Sequence, residues 1–193
     1  MNTKHRVINA ACVAFSNRGV AGTSLDDIAN DLGITKQAIL YHFNSKNGLI
    51  SAVLSEASME LLQVFVDVTL RTGKGWDRVE EVVRAAFSLA VRKPELLGLL
   101  REVNRLGEPW SNQLIKSIDP LIKPSVHFLR EGMHEGLFKK GDPQLVLASA
   151  YSAVIGVVGD VEVLRAVGLE LDLRVATRLR RTLLGFLRSA LVG

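Results

Sequence analysis

Cysteine is almost missing from this chain: Cys12 is the one example in 193 residues. A lone thiol excludes an intramolecular disulfide framework and fits a reducing cytoplasm, the expected location. On an apolar helical stripe it reads as a small core group rather than a redox sensor. Histidine is scarce too, with four scattered residues, His5, His42, His127 and His134. The last two miss the i, i+4 spacing of helix-borne metal pairs, so no metal is expected. A phosphate loop, a dinucleotide fingerprint and a nucleophile elbow are all lacking. With no convergent acid, base or nucleophile, neither an enzyme nor a cofactor is expected. No targeting segment is expected either, because behind Lys4, His5 and Arg6 the apolar residues alternate with Asn and Arg. The membrane suspect is the uncharged run from Pro143 to Gly159, bounded by Asp142 and Asp160. It falls short of the roughly 20 apolar residues a span needs. A helix buried on nearly all sides inside the protein is the expectation there. Neither charge sign dominates: 24 Lys and Arg against 20 Asp and Glu leave +4, with a pI near 9.4. Such a balance favours contact with a polyanion, although a solvated surface with a slight basic excess gives the same figure.

What is present is helix. Hydrophobic residues make up 48 % of the chain, enough for a substantial core, and they recur at helical spacing without a competing strand signal. Residues 24–46 hold the most informative pattern. Ser24 can cap a helix, with Asp27 at the capping-box position. Leu25, Ile28, Ala29 and Leu32 fall on one face, and Gly33 follows where a left-handed C-cap residue is expected. Thr35 can cap the next helix almost at once, so the two must cross steeply. This is a helix-turn-helix, whose second helix is built to lie in the DNA major groove. Ile34, Ile39 and Phe43 can face inward, while Thr35, Lys36, Gln37 and Ala38 cluster at the end that approaches base edges. Gln37 could bond an adenine edge bidentately, and Lys36 could read guanine or a phosphate. Tyr41 and His42, one turn on, are placed for phosphate oxygens. Lys46 sits on the first turn of the following helix, where free amides also attract phosphate.

In Thr23-Ser24, Ile28-Ala29, Leu32-Gly33-Ile34-Thr35-Lys36, Tyr41-His42-Phe43 and Ser45-Lys46 the sequence resembles the TetR family of transcriptional regulators over residues 1–50. Two positions depart from that pattern. Leu40 stands where such segments usually carry tyrosine, offering packing or a thymine-methyl contact instead of a polar one. Asn47 follows Lys46 where an acid is common, which weakens charge complementarity at that helix start. The resemblance implies a DNA-binding segment followed by a larger portion that binds a small effector and makes a dimer.

Along the chain, residues 3–18 read as a first helix with Ile8, Ala11, Cys12 and Phe15 on a stripe, ended by Gly19. Lys4 and Arg6 could lie near phosphate or be simply solvated. Ser45 caps a long helix reaching about Leu70, with no linker between it and the reading segment. A rigid helix shared by both halves can carry movement from one to the other. A loop at 71–75 leads to a helix from Trp76 to about Lys93, and Pro94 fits the first turn of the next. Pro109, Pro120 and Pro124 predict an irregular or kinked stretch over 107–124, leading into a helix through Phe128 and Met133. Asp142 caps the uncharged helix, and a last helix runs from Asp172 to about Leu191.

The expected architecture is all-α: a helix-turn-helix DNA-binding domain over residues 1–46 and a helical bundle over 47–193 for effector binding and dimerisation. The small residues Ala148, Ser152, Gly156 and Gly159 share one face, and the last helix carries an apolar stripe with Arg174, Arg178, Arg181 and Arg188 elsewhere. Two copies of this pair could form a two-fold four-helix interface, or the small face could pack within its own subunit. Phe65, Phe87, Leu100, Val103, Trp110, Phe128 and Tyr151 are candidates to line an effector pocket, with Glu102, Asn104 and His127 as polar contacts. Taken singly, each of them reads as plain core before it reads as a ligand contact. The expectation is a homodimeric repressor that a small, largely apolar effector releases from a near-palindromic operator in double-stranded DNA. The alternative is an all-α ligand-binding or carrier protein in which the helix-turn-helix is merely structural.

Overall fold

The computed structural model describes residues 2–71, 73–159, 161–170 and 172–193, and among these residues the chain is helical without strands. It divides into two compact units. The first comprises Met1–Leu61 with Lys93–Ile118, the second Leu62–Arg92 with Asp119–Gly193.

In the first unit, α1 (Thr3–Arg18), α2 (Leu25–Leu32), α3 (Lys36–Phe43) and the start of α4 (Lys46–Arg71) enclose one core. Val7, Phe15, Ile28, Ile39, Leu49 and Leu54 are each removed from water almost completely. Side chains of this size stabilise a fold by about 1.5–3 kcal/mol each when buried. Helix α1 is apolar on two sides because it is packed on two sides, by α2 and α3 on one and by α6 (Pro94–Leu106) on the other. Ile8, Ala11, Cys12 and Phe15 are all buried, as their spacing requires. Burial pushes the Cys12 thiol up to about 12, with the nearby Glu95 and Glu60 carboxylates adding to the effect. It is a core group and not a reactive thiolate.

Helix α6 approaches α1 closely enough to need a glycine. A Cβ on Gly98 would fall 1.9 Å from Ser16 Oγ and 2.9 Å from Ser16 Cβ. One turn on, Glu102 reaches the end of α1. Its Oε1 accepts the Val20 N–H at 2.6 Å, and its two oxygens take a bidentate pair from Arg105, both bonds at 2.8 Å. The Arg105 guanidinium, then the Val20 amide, hold the Glu102 carboxyl below the usual glutamate range. The Val20 carbonyl accepts from Lys46 Nζ at 2.5 Å, and the buried Thr23 hydroxyl donates to Gly19 O at 2.8 Å. The turn between α1 and α2 is therefore bonded to α6 and to the first residue of α4.

In the second unit, α5 (Trp76–Arg92), α8 (Pro143–Gly159) and α10 (Leu173–Leu191) pack on one another, and α9 (Val161–Ala166) precedes α10. Leu129, Phe138 and Leu191 form a small core against Val79, Phe128 and Val146, with Phe128 edge-on to Phe138 at 5.6 Å.

Three expectations change. First, 107–124 is not irregular beyond residue 109, because α7 runs unbroken over Trp110–His134 with Pro120 and Pro124 inside it. A proline in a helix forfeits its bond to the carbonyl four residues back. Lys116, Pro120 and Pro124 all lie exposed one turn apart, so the orphaned carbonyls fall on the hydrated side. Second, α8 is not buried on nearly all sides. None of its described residues is fully buried, and Leu145 (67 %) and Tyr151 (49 %) are largely exposed. Lack of charge frees a face from needing water, but no described residue covers it. Asp160 lies outside the described residues, as do the burial of Gly159 and the side chain of Leu173. Third, by length and composition the stretch able to cross a membrane is Lys46–Val68 of α4, not 143–159. Its Leu49, Ile50, Val53, Leu54, Ala57 and Leu61 are buried in protein.

In an exposed helix, replacing glycine by alanine gains about 1 kcal/mol. Gly98→Ala should do the reverse here, costing about 1–3 kcal/mol by overpacking against Ser16. Thermal unfolding of Gly98→Ala, alone and with Ser16→Gly, checks this; the second change should recover most of the loss.

Candidate nucleic-acid interface

Local bonds build the reading segment. The Ser24 hydroxyl accepts the Asp27 N–H at 3.1 Å while Asp27 Oδ2 accepts the Ser24 N–H at 2.7 Å, which closes the capping box. Bonds from the Ser24 hydroxyl and amide hold the Asp27 carboxyl below its usual range. Helix α2 ends at Gly33, whose φ of 63° and ψ of 36° are left-handed, and its N–H reaches the carbonyls of Ala29 and Asn30. The Thr35 hydroxyl accepts the Ala38 N–H at 3.2 Å and starts α3 two residues later. At the far end Asn44 turns left-handed (φ 61°), and the Ser45 hydroxyl accepts the Gly48 N–H at 3.0 Å to open α4. Two short helices are thus fixed at both ends by their own sequence.

Ile39 and Phe43 bury the inner face of α3, and Ile34 is half-buried. The outer face presents Thr35, Lys36 and Gln37 to solvent, with Tyr41 84 % exposed one turn on. Ala38, Leu40 and His42 are half-buried, and His42 meets Tyr41 edge-on with ring centroids 5.2 Å apart. Eight residues make a helix about 12 Å long, comparable to the roughly 12 Å width of a major groove. The tip is polar: the Thr35 hydroxyl takes the Ala38 N–H, and the side chains of Thr35, Lys36 and Gln37 stand in solvent beside it.

Several charges near the tip have partners. Lys36 Nζ lies 2.8 Å from Asp26 Oδ2, and both side chains are about half exposed. An exposed pair of this kind is worth about 0–1 kcal/mol, so a phosphate can displace Asp26 at little cost. Lys46 uses one donor on Val20 O, and an ammonium has three. Ser24 differs from the rest of the candidates: its hydroxyl accepts from Asp27 N and lies 2.7 Å from Asp27 Oδ2, so the cap occupies it. Asp31 pairs with Arg18 at 3.3 Å and lines a groove between α1 and α2. Asn47 is exposed.

The seven effector candidates do not gather in one unit. Leu100, Val103 and Trp110 belong to the first unit; Phe65, Phe87, Phe128 and Tyr151 belong to the second. Phe87, Leu100 and Val103 are buried, Phe65, Trp110 and Phe128 are half-buried, and Tyr151 is exposed. Phe128 is already stacked, with the Arg78 guanidinium 4.9 Å from its ring centroid. Glu102 is committed to Val20 and Arg105. Two open grooves occur within the units. One, of about 620 Å³, lies between α1 and α2 around Arg6, Val13, Arg18 and Leu32. The other, of about 330 Å³, lies between α5 and α10 around Trp76, Arg84, Arg181 and Arg188. None of the seven lines either groove. The α5–α10 groove went unread in sequence, although arginine at 174, 181 and 188 marks one face of α10 at intervals of two turns. Among the described residues no three His, Cys, Asp or Glu side chains group as metal ligands.

Residues 7–53 match the family of bacterial regulatory proteins known as tetR. The HTH-type transcriptional regulator SrpR of Pseudomonas putida is 33 % identical over 93 residues, which is 48 % of this chain and 41 % of SrpR. The biofilm operon icaADBC HTH-type negative transcriptional regulator IcaR of Staphylococcus aureus (strain Newman) is 44 % identical over 46 residues, 24 % of this chain and 25 % of IcaR. The matched stretch therefore spans less than half the length of either relative. In fold, the chain is similar to AibR, solved in complex with isovaleryl coenzyme A and operator DNA. The TM-score is 0.82 at 17 % identity, covering 96 % of this chain and 98 % of AibR. A helix-turn-helix closed by its own caps lies inside the stretch, residue 7 to residue 53, that matches the tetR family of bacterial regulatory proteins.

Proposed function

We propose that this protein is a homodimeric, DNA-binding transcriptional repressor whose hold on a near-palindromic operator is weakened by a small, largely apolar effector. The observation that carries this reading is the outer face of α3, where Thr35, Lys36, Gln37 and Tyr41 project from a helix whose opposite side is core. Gln37 reads an adenine edge, Lys36 reads guanine or a phosphate, and Tyr41, His42 and Lys46 hold the backbone. Residues 1–46 do the reading, and 47–193 supply effector binding and dimerisation, in the cytoplasm where the DNA is. The relatives SrpR and IcaR are named as transcriptional regulators, IcaR as a negative one, and AibR was solved with a coenzyme A thioester and operator DNA.

Dimerisation has support in the uncovered faces of α8 and α10. Leu145, Ala148, Ser152 and Gly156 are exposed along α8, and on the adjacent α10 Phe186 is 61 % exposed beside Ala190. Small residues let helices approach closely, and an isologous pairing of these faces would present two reading helices one DNA turn apart. An effector that favours a different spacing then lowers affinity by binding one state better than the other.

The purified protein should bind its own upstream region with an affinity that falls steeply as salt rises. Lys36→Ala, Gln37→Ala and Tyr41→Ala together should weaken that binding about 100-fold or more, since each lost base or backbone contact is worth about 1–3 kcal/mol. Unchanged binding, measured by fluorescence anisotropy, would favour a carrier in which the motif is structural. Phe186→Lys should shift the protein from dimer to monomer in sedimentation velocity without unfolding it.

A further inference from the structure

The groove between α5 and α10 concentrates positive charge that the DNA-reading function does not use. Arg181 and Arg188 stand on successive double turns of α10, Arg180 adjoins them, and Arg84 faces them from α5. Arg84 is neutralised by Glu80 and Glu81, and Glu80 also accepts the Trp76 indole N–H at 3.2 Å. Arg188 makes no direct ion pair but feels the Glu80 carboxylate, and its guanidinium lies over the Trp76 ring, 5.7 Å from the centroid. Arg180 and Arg181 make no hydrogen bond or ion pair with any described residue. Four guanidiniums thus meet the two carboxylates of Glu80 and Glu81, and the groove keeps an excess of positive charge. The floor is apolar at Leu184 and open at Gly185, where an added Cβ would meet nothing within 4 Å.

We infer that this groove binds a small phosphorylated molecule, one whose diphosphate or paired phosphate groups lie across Arg180, Arg181 and Arg188. Three arguments fix the class. Guanidinium forks match phosphate oxygens bidentately, and an excess of two positive charges over Glu80 and Glu81 calls for a ligand carrying about two negative charges. A volume of about 330 Å³ admits a small molecule and not a helix or a duplex. The indole edge and Leu184 offer an apolar shelf beside the charges, suited to an organic group attached to the phosphates. The uncovered face of α10, at Phe186 and Ala190, lies on another side of the helix from Arg181, Leu184 and Arg188, so pairing of two chains there leaves the groove free.

Isothermal titration of the full chain with inorganic pyrophosphate, and separately with ADP, tests this. Saturable binding of one equivalent per chain is expected, and the Arg180→Ala, Arg181→Ala double variant should bind at least about tenfold more weakly, as expected when charge-assisted bonds are lost. The unliganded thermal midpoint of the variant should match that of the parent, because neither side chain is a core group. Tighter binding of ADP than of pyrophosphate would mean an organic phosphate; equal binding would mean that the phosphates alone are recognised, and both support the inference. Absence of saturable heat overturns it, as does equal affinity in parent and variant. A variant that loses DNA affinity while pyrophosphate fails to bind the parent would also overturn it and assign the groove to nucleic acid.

Discussion

Val20 offers one backbone N–H and one C=O, and two charged side chains from distant parts of the sequence claim them. Glu102 on α6 takes the N–H, and Lys46 at the start of α4 bonds the carbonyl. Val20 itself is buried, so both groups would be costly to leave unpaired. The grip lies in the turn that leads to the Ser24 cap, and from there each step is determined by the one before. The cap fixes where α2 begins, Gly33 fixes how it ends, and Thr35 starts α3. The direction in which the reading helix faces is therefore tied, through one peptide, to α6.

That linkage explains why the reading helices do not stand as a separate body. Three short helices bury too little surface to be secure alone, and the compact unit that contains them also contains α6 and the start of α7. Gly98 against Ser16 brings α6 close, and the Ser51 hydroxyl and carbonyl each bond the Gln113 side chain, at 3.1 Å in both cases, joining α4 to α7. A ligand that shifted α6 would move the corner at Val20 with it.

Much of this was legible in the sequence where the governing interactions are local. Ser24 with Asp27, Gly33, Thr35 and the periodicity of Ile28, Ala29, Ile39 and Phe43 each act within a turn or two of chain, and the bounds of α1, α2 and α5 follow from such signals. The misreadings all involve residues whose fate depends on distant neighbours. Proline at 120 and 124 argued against a helix, yet both fall on the exposed side of α7, where water can take the orphaned carbonyls. The uncharged α8 suggested full burial, but its outer face, with Leu145 and Tyr151, stays exposed among the described residues. Glu102 looked like a ligand contact and is instead a bond to Val20. Arg188 meets Trp76, and Arg181 shares their groove, only because α5 lies beside α10, which no pattern within either helix foretells.

Amide hydrogen exchange at Val20 tests the attachment of the reader to α6 most directly. In the native protein the Val20 N–H should exchange as slowly as core amides of α1 such as that of Phe15, and Glu102→Ala should release it towards the rate of the exposed Ala21. Rapid exchange in the parent protein, or unchanged protection in the variant, would contradict the claim that Glu102 holds this corner.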